Sequence, residues 1–205
     1  TDGESPEAEG RGEEAAGRKV RGAGDGACGV WVHGREERES MRIVLVHPAG
    51  SNWVPGKKDI TATANRMAPL GLLSIAAYLS RAGHNVFVHD CLGPRAIPGT
   101  AANARLVLER APDLVGFSAT TSGFLDAREM AAAIKAVRPE VVTVFGGVHV
   151  SALGGTLLER FDAIDYLCPG EGEATLAELA VGEDPAAIAG LIWRDGELIV
   201  ANPPR

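Results

Sequence analysis

VVTVFGGVHVS, residues 141–151, decides the fold. Val141–Phe145 is a run of β-branched and aromatic residues with no polar alternation. Such a run reads as a strand buried on both faces, as in a parallel sheet. Gly146 and Gly147 follow at the strand's carboxyl end, where open α/β sheets place their ligands. Without Cβ atoms the backbone there admits positive φ and lets a flat or extended group lie directly against it. A tight strand-to-helix turn alone would also call for glycine, so the neighbouring strand ends carry the argument.

Outward from that strand the pattern alternates. Strands are expected at Arg42–His47, Asn85–Asp90, Asp113–Ser118 and Ala163–Leu167, with Val141–Phe145 fourth in order. Pro69 opens a helix with Leu72, Leu73, Ala76 and Leu79 on one face, and Gly83 closes it. Further helices are expected at about 100–110, along Ala127, Met130, Ala131, Ile134 and Val137 up to Pro139, at 151–160, and from the GEGE of 170–173 to about Ala180. Helical crossovers between strands imply right-handed βαβ units. The fold class is therefore α/β: a five-stranded, doubly wound parallel sheet, Rossmann-like or flavodoxin-like, with a C-terminal β-hairpin. The hairpin is signalled by Asp195-Gly196 between Leu191–Trp193 and Glu197–Val200. It reads as an appendage leading out through Pro203-Pro204.

Residues 1–40 stand apart, with nine glycines, ten acidic residues and no Leu, Ile or Phe. That segment cannot bury enough apolar surface to offset its ordering entropy, so a disordered extension is expected, with Met41 opening the folded part. The net charge of −7 and pI near 5.3, without a dense basic cluster, argue against nucleic acid as a partner. No apolar run approaches membrane-spanning length. Cys28, Cys91 and Cys168 are scattered, which excludes a disulfide framework or a local zinc site, suits a reducing compartment and gives the expectation of a cytoplasmic protein.

Three loops converge on the carboxyl edge. Pro48–Ala68 is 21 residues long, too long for a mere connector. Ser118, Thr120, Thr121 and Ser122 put four hydroxyls after the third strand, and Gly146, Gly147 and His149 follow the fourth. With strand order 2-1-3-4-5, strands one and three flank the switch point where ligands bind. Hydroxyls there can donate and accept at a ligand, with Ser122 expected to cap the next helix. Dinucleotide binding lacks support: there is no GxGxxG after strand one and no GxxxxGK[ST] anywhere. Glu171 and Glu173 suit a helix's positive end. His47 and His89 read as satisfied core histidines, whereas His149 is placed to face a ligand.

NRMAPLGLLSIAAYLSRAGH (65–84), LVGFSATTS (114–122), VFGGVHVS (144–151), DYLCPGEGE (165–173) and GLIWRDGELIVANPP (190–204), in that order, resemble the cobalamin-binding domain at the amino end of B12-dependent radical SAM enzymes. Within that family the start of the first motif is similar to the group containing the anaerobic magnesium-protoporphyrin ester cyclase. The resemblance covers about residues 41–205. It implies a corrin ring over the strand ends and a dimethylbenzimidazole tail threading down beside the sheet. Ser118, Thr120 and Ser122 would line the tail, and Gly146, Gly147 and Val148 would leave room for it. Asn65, Arg66 and Met67 would face cobalt, with His149, Gly170 and Glu171 also at the cofactor. A leucine at Gly147 is accordingly expected to block binding with little loss of fold.

The resemblance sets the domain reading: a disordered extension over 1–40, a cobalamin-binding domain over 41–182, and a hairpin and linker over 183–205. The DxHxxG of the methionine-synthase type is absent from Pro48–Ala68, so no cobalt-binding histidine is expected there. CxxxCxxC is absent as well. S-adenosylmethionine and a 4Fe–4S cluster are therefore expected only on a radical SAM domain in cis, beyond Arg205, or in trans. The function implied is to hold and orient cobalamin for methyl transfer to carbon or phosphorus, or for related radical chemistry, with no catalytic residue on this chain. A standalone corrinoid carrier or sensor, and a flavodoxin-like domain binding another cofactor, are the alternatives.

Overall fold

A computed structural model describes residues 40–50 and 68–205. The reading of residues 1–40 falls, apart from Ser40, outside the described residues, as do Asn65, Arg66 and Met67.

Five strands run parallel: β1 Arg42–His47, β2 Asn85–Asp90, β3 Leu114–Ser118, β4 Val142–Gly146 and β5 Tyr166–Cys168. β6 Ile192–Asp195 and β7 Leu198–Ala201 extend the sheet antiparallel, giving the order β2-β1-β3-β4-β5-β6-β7. The described helices are α1 Leu70–Arg81, α2 Thr100–Leu108, α3 Phe124–Val137, α4 Val148–Leu153, α5 Thr156–Arg160 and α6 Glu173–Ala180. α1 and α6 cover one face, packing Leu72, Leu79 and Leu176 on Ile43, Leu45, Leu114 and Val144. The other helices cover the opposite face, where Phe117, Phe124 and Phe145 meet Met130, Ile134 and Leu158.

The sheet has seven strands, not five. The hairpin turns at Gly196 (φ 60°) as its Asp-Gly signal predicts, but it is no appendage. β5 has only three residues, and β6 covers the edge that so short a strand would leave open. Arg194 fixes the union. Its guanidinium donates to the carbonyl oxygens of Ile164 (2.6 Å), Leu158 (2.7 Å) and Phe161 (3.1 Å). The chain after β7 also turns back onto the body, with Gly190 N–H donating to Pro203 O at 2.8 Å and Arg205 pairing with Glu178.

Other boundaries shift for local reasons. The helix expected over 151–160 is two short helices, broken at Gly154 and Gly155. A Cβ at Gly155 would lie 2.9 Å from Ile199 Cγ2, so the break admits β7. The fifth strand starts at Tyr166 rather than Ala163. Thr143 Oγ1 donates to Ala163 O at 2.7 Å and Asp165 Oδ2 accepts the Thr143 N–H at 2.7 Å, which engages these residues before the ladder begins. Leu73 (44% exposed) and Val137 (67%) lie off the buried faces to which helical spacing assigned them.

Candidate functional site

Successive residues of a strand face opposite sides of the sheet. Leu45 of β1, Gly116 of β3 and Val144 of β4 stand side by side in the ladder, on the face covered by α1 and α6. One pleat nearer the carboxyl edge, Ser118, Gly146 and Cys168 pair in the same way. Between these rows and the helices lies a crevice of about 50 Å³, with Ile75 of α1 and Leu176 of α6 on its helical side. Gly147, Gly170 and Gly172 also line it.

Glycine shapes the crevice. Gly116 sits in mid-strand, where a Cβ would lie 2.8 Å from Leu45 Cδ2; a side chain there would fill the floor. A Cβ on Gly146 would lie 3.1 Å from the Cys168 carbonyl oxygen. Gly147 differs. Its φ of 94° and ψ of 179° belong to a region that is essentially glycine's alone. A Cβ at 147 would lie 2.8 Å from Ala119 O, so a leucine there would damage the turn itself. The expectation that such a variant keeps its fold is corrected on that ground.

The hydroxyl loop after β3 divides its work. Ser118, half-buried, faces the crevice. Thr120 Oγ1 accepts the Gly123 N–H at 3.2 Å and pairs with Ser122 Oγ at 3.0 Å, closing the turn before α3; the N-cap position is Gly123, with no side-chain cap, so Ser122 does not cap the helix. Thr121 Oγ1 meets His149 Nδ1 at 3.2 Å. The His149 ring lies on Phe124, centroids 4.4 Å apart, and its backbone N–H donates to Ala119 O. Burial lowers the His149 pKa, favouring the neutral imidazole. Phe124 belongs to the core of the opposite face, and His149 does not line the crevice.

Val148 stands 69% exposed at the edge. Gly170 (φ 76°) lines the crevice and donates its N–H to Ser151 Oγ, whereas Glu171 points to solvent. Glu173, in the first turn of α6, accepts a 2.7 Å hydrogen bond from Ser74 of α1. That bond ties the two helices together across the crevice.

Sequence reasoning passed over three features. Gly116 within LVGFS carried a signal, because a mid-strand glycine marks close approach. Cys168 lines the wall, and burial pushes its thiol up to about 11, with Thr175 and Arg205 acting in the opposite sense. His47 is satisfied, as expected, but only half-buried. It ends β1 on the crevice face, and its Nδ1 lies 3.0 Å from Asp90 Oδ1 on β2, which also accepts the Leu92 N–H. Among the described residues no cluster of three or more His, Cys, Asp or Glu is placed to hold a metal ion, and no helix is long and apolar enough to cross a membrane.

A doubly wound sheet with a glycine-lined crevice under its carboxyl edge defines a ligand-holding α/β domain of the flavodoxin-like kind. A model of the B12 binding domain family matches residues 56–180, and the chain belongs to that family. It is similar to an uncharacterized methyltransferase of Pyrococcus horikoshii, at 31% identity over 169 residues, covering 80% of this chain and 35% of that protein. It is also similar to the anaerobic magnesium-protoporphyrin IX monomethyl ester cyclase of Synechocystis, at 29% over 176 residues, covering 80% of this chain and 33% of the cyclase. A cobalamin-dependent radical SAM methyltransferase of Streptomyces tokunonensis matches at 31% over 97 residues, covering 45% of this chain and 14% of that enzyme. The chain thus spans about a third or less of the length of these relatives.

Proposed function

We propose that this chain binds cobalamin at the carboxyl edge of its parallel sheet and serves as the cofactor-holding part of a radical SAM enzyme. The observation that carries the reading is the crevice: in a member of the B12 binding family, glycines leave the backbone bare under the strand ends, between the sheet and a pair of helices. The donor set fits the dimethylbenzimidazole base of a corrinoid, which is flat, largely apolar and has one free ring nitrogen. Ser118 offers that nitrogen a hydroxyl, and Gly116 and Gly146 leave the space that a side chain would fill.

Gly147 fixes the turn that opens the mouth. Thr120, Ser122 and Val148, which do not line the crevice, are assigned to the cofactor on the family resemblance alone. Asn65, Arg66 and Met67 are assigned to the lower approach on the family resemblance alone, and Gly170 to the crevice wall. His149 positions the β3 and β4 loops through Thr121 and Phe124. The chain's own residues hold and orient; none is assigned a catalytic step. When bound, the cobalt of cobalamin supplies a site that accepts and donates a methyl group.

Cys91 and Cys168 are buried and their thiols are pushed up to about 12 and about 11, which makes them poor cluster ligands. S-adenosylmethionine and a 4Fe–4S cluster are therefore assigned to a separate radical SAM unit, in cis or in trans. The names of the relatives support methyl transfer or ring closure as the reaction class.

Titration with hydroxocobalamin, followed by gel filtration and an absorption spectrum, tests the reading. Co-elution at one cobalamin per chain is expected. Free passage of the cofactor through the column refutes it.

A further inference from the structure

Two strands end the sheet, and they end it differently. β7 has four residues, and the chain beyond it runs into Pro203-Pro204 and folds back, with Asn202 N–H donating to Leu191 O. β2 has six residues and matches β1 residue for residue, without a bulge. Its sequence, NVFVHD, holds no lysine or proline, the residues that commonly keep an edge from pairing. The Asn85 N–H donates to Met41 O and the Cys91 N–H to His47 O, so the odd-numbered residues turn their backbone toward β1. Val86 and Val88 therefore present their N–H and C=O groups outward. Among the described residues, no strand pairs with them.

A cavity of about 150 Å³ opens beside that edge, between β2 and the end of α2. Phe87, Val88 and His89 form its strand side, and Leu106, Glu109 and Arg110 stand opposite. The Arg110 guanidinium lies over the Phe87 ring, 4.8 Å from its centroid. Asn103 Nδ2 donates to Ile97 O and Gly99 O, so its Oδ1 accepts from His89 Nε2 at 2.8 Å. That polarity leaves His89 Nδ1 an acceptor.

We propose that β2 is a homodimer interface: a second copy adds its own β2 antiparallel, across a two-fold axis at Phe87, and the two sheets become one. The outward groups set the register. Residues opposite one another share a sheet face, and a hydrogen-bonded pair needs both backbones turned outward. Setting Val86 opposite the second copy's Val88 meets both conditions and gives two reciprocal bonded pairs. Registers centred on Val86 or Val88 instead oppose a valine to His84 or Asp90, whose N–H and C=O already bond Leu79 O and Gly93 N–H. In the favoured register Phe87 meets its own counterpart, an aromatic pair of the kind that stabilises sheets. Asn85 meets the second copy's His89, whose Nδ1 can accept from the Asn85 amide. One strand thus supplies both members of every pair, the self-complementarity that a two-fold demands. Glu109 and Arg110 balance each other at the flank of the edge, so like charge there does not keep a second copy away. With the two β2 strands antiparallel, the carboxyl edges of the two sheets point in opposite directions. Each proposed cofactor site then stays open to its own radical SAM unit, and the pairing does not depend on the cofactor.

Sedimentation velocity of the full chain, without cobalamin, tests the proposal. The mass should rise from 21.3 kDa toward twice that between about 5 µM and about 500 µM, the weak range suited to a single strand pair. Over the same range hydrogen exchange at the Val86 and Val88 amides should slow, and by more than at Phe87, which is turned toward β1. A monomer at every concentration overturns the proposal, whatever else the edge takes up. A dimer in which Val86 and Val88 slow no more than Phe87 overturns it too, because another surface then holds the copies together. Phe87→Cys in a Cys28→Ser background checks the register apart from affinity: the two new thiols oppose each other and should form a disulfide-linked dimer under mild oxidation. Cross-linking no faster than in a Val86→Cys control, whose counterpart is Val88, defeats the register and the proposal with it. Val88→Pro removes an N–H that β1 does not use, so the variant should keep its circular dichroism and stay monomeric. A folded Val88→Pro chain that still dimerises refutes the interface.

Discussion

Replacing Gly147 by alanine tests whether the β4–α4 turn is as rigid as its bonding implies. The backbone at 147 (φ 94°, ψ 179°) lies where a residue with a Cβ is strained by about 1–3 kcal/mol. The added methyl carbon would also stand 2.8 Å from Ala119 O and 3.0 Å from Ala119 N, which are backbone atoms and not the loose end of a side chain. They cannot yield cheaply. Ala119 N–H donates to Gly146 O at 2.9 Å, and Ala119 O accepts the His149 N–H at 3.2 Å. Strain and overlap together should cost about 2–4 kcal/mol. For a domain of this size that lowers Tm by roughly 4–16 °C. Gly170→Ala is the control, since φ there is 76° but a Cβ would meet nothing within 4 Å. Strain alone should cost it about 1–2 kcal/mol. Urea denaturation followed by circular dichroism measures both variants. Equal losses would show that Ala119 gives way, and the argument for a rigid turn would be wrong.

Other expectations follow from the same contacts. Arg194→Ala should destabilise the chain by about 2–4 kcal/mol and speed hydrogen exchange in β6 and β7, because it removes the donor to the Ile164 and Leu158 carbonyls and one of the two donors to Phe161 O; exchange confined to its parent rate would refute the clamp. Burial, with Asp90 and Asp126 adding to it at Cys91, raises both buried thiols above their unfolded values, so their contribution to stability is complete below about pH 9 and is lost as pH rises toward 12. The fall in urea midpoint over that range should be shallower in a Cys91→Ala, Cys168→Ala double variant, and an identical fall would count against the shifts. Bound Co(II) cobalamin should show no axial nitrogen splitting from the protein in electron paramagnetic resonance, since Asp90 draws His47 toward β2 and Thr121 and Phe124 hold His149. A triplet splitting that vanishes in His47→Ala or His149→Ala would identify the ligand instead.

The strand order and the glycines were legible because both follow from local chemistry. An apolar run ending in Gly146-Gly147 specifies a buried parallel strand and a positive-φ turn within a few residues. What stayed hidden depends on pairing across long separations. β6 joins β5 through a single ladder pair, Leu167 with Ile192, and is secured by an arginine whose acceptors lie 30, 33 and 36 residues away. No period in the sequence carries that. The partner that satisfies His47 was hidden for a related reason: Asp90 is 43 residues distant and becomes a partner only when β1 and β2 align in register. The loop 120–122 was legible as a hydroxyl cluster, but its partners depend on the loop's path: Thr120 meets the Gly123 N–H, and α3 starts without a side-chain cap.

The two sides of the crevice differ in what holds them. On the sheet side every element is fixed by ladder bonds, and the glycines abut backbone or core side chains. On the helical side α1 and α6 share the apolar cluster of Leu72, Ile75, Leu79, Leu176 and Ala180 and are joined by one exposed hydrogen bond, Ser74 to Glu173. The crevice is small, about 50 Å³. The hydrogen bond is worth about 1 kcal/mol. Ile75, only half-buried, forfeits part of the roughly 1.5–3 kcal/mol of a fully buried side chain. Moving the sheet instead would break several backbone bonds at once. The helical side is therefore the less firmly held of the two, and hydrogen exchange is expected to be faster in α1 than in β1 and β3; equal protection would count against this.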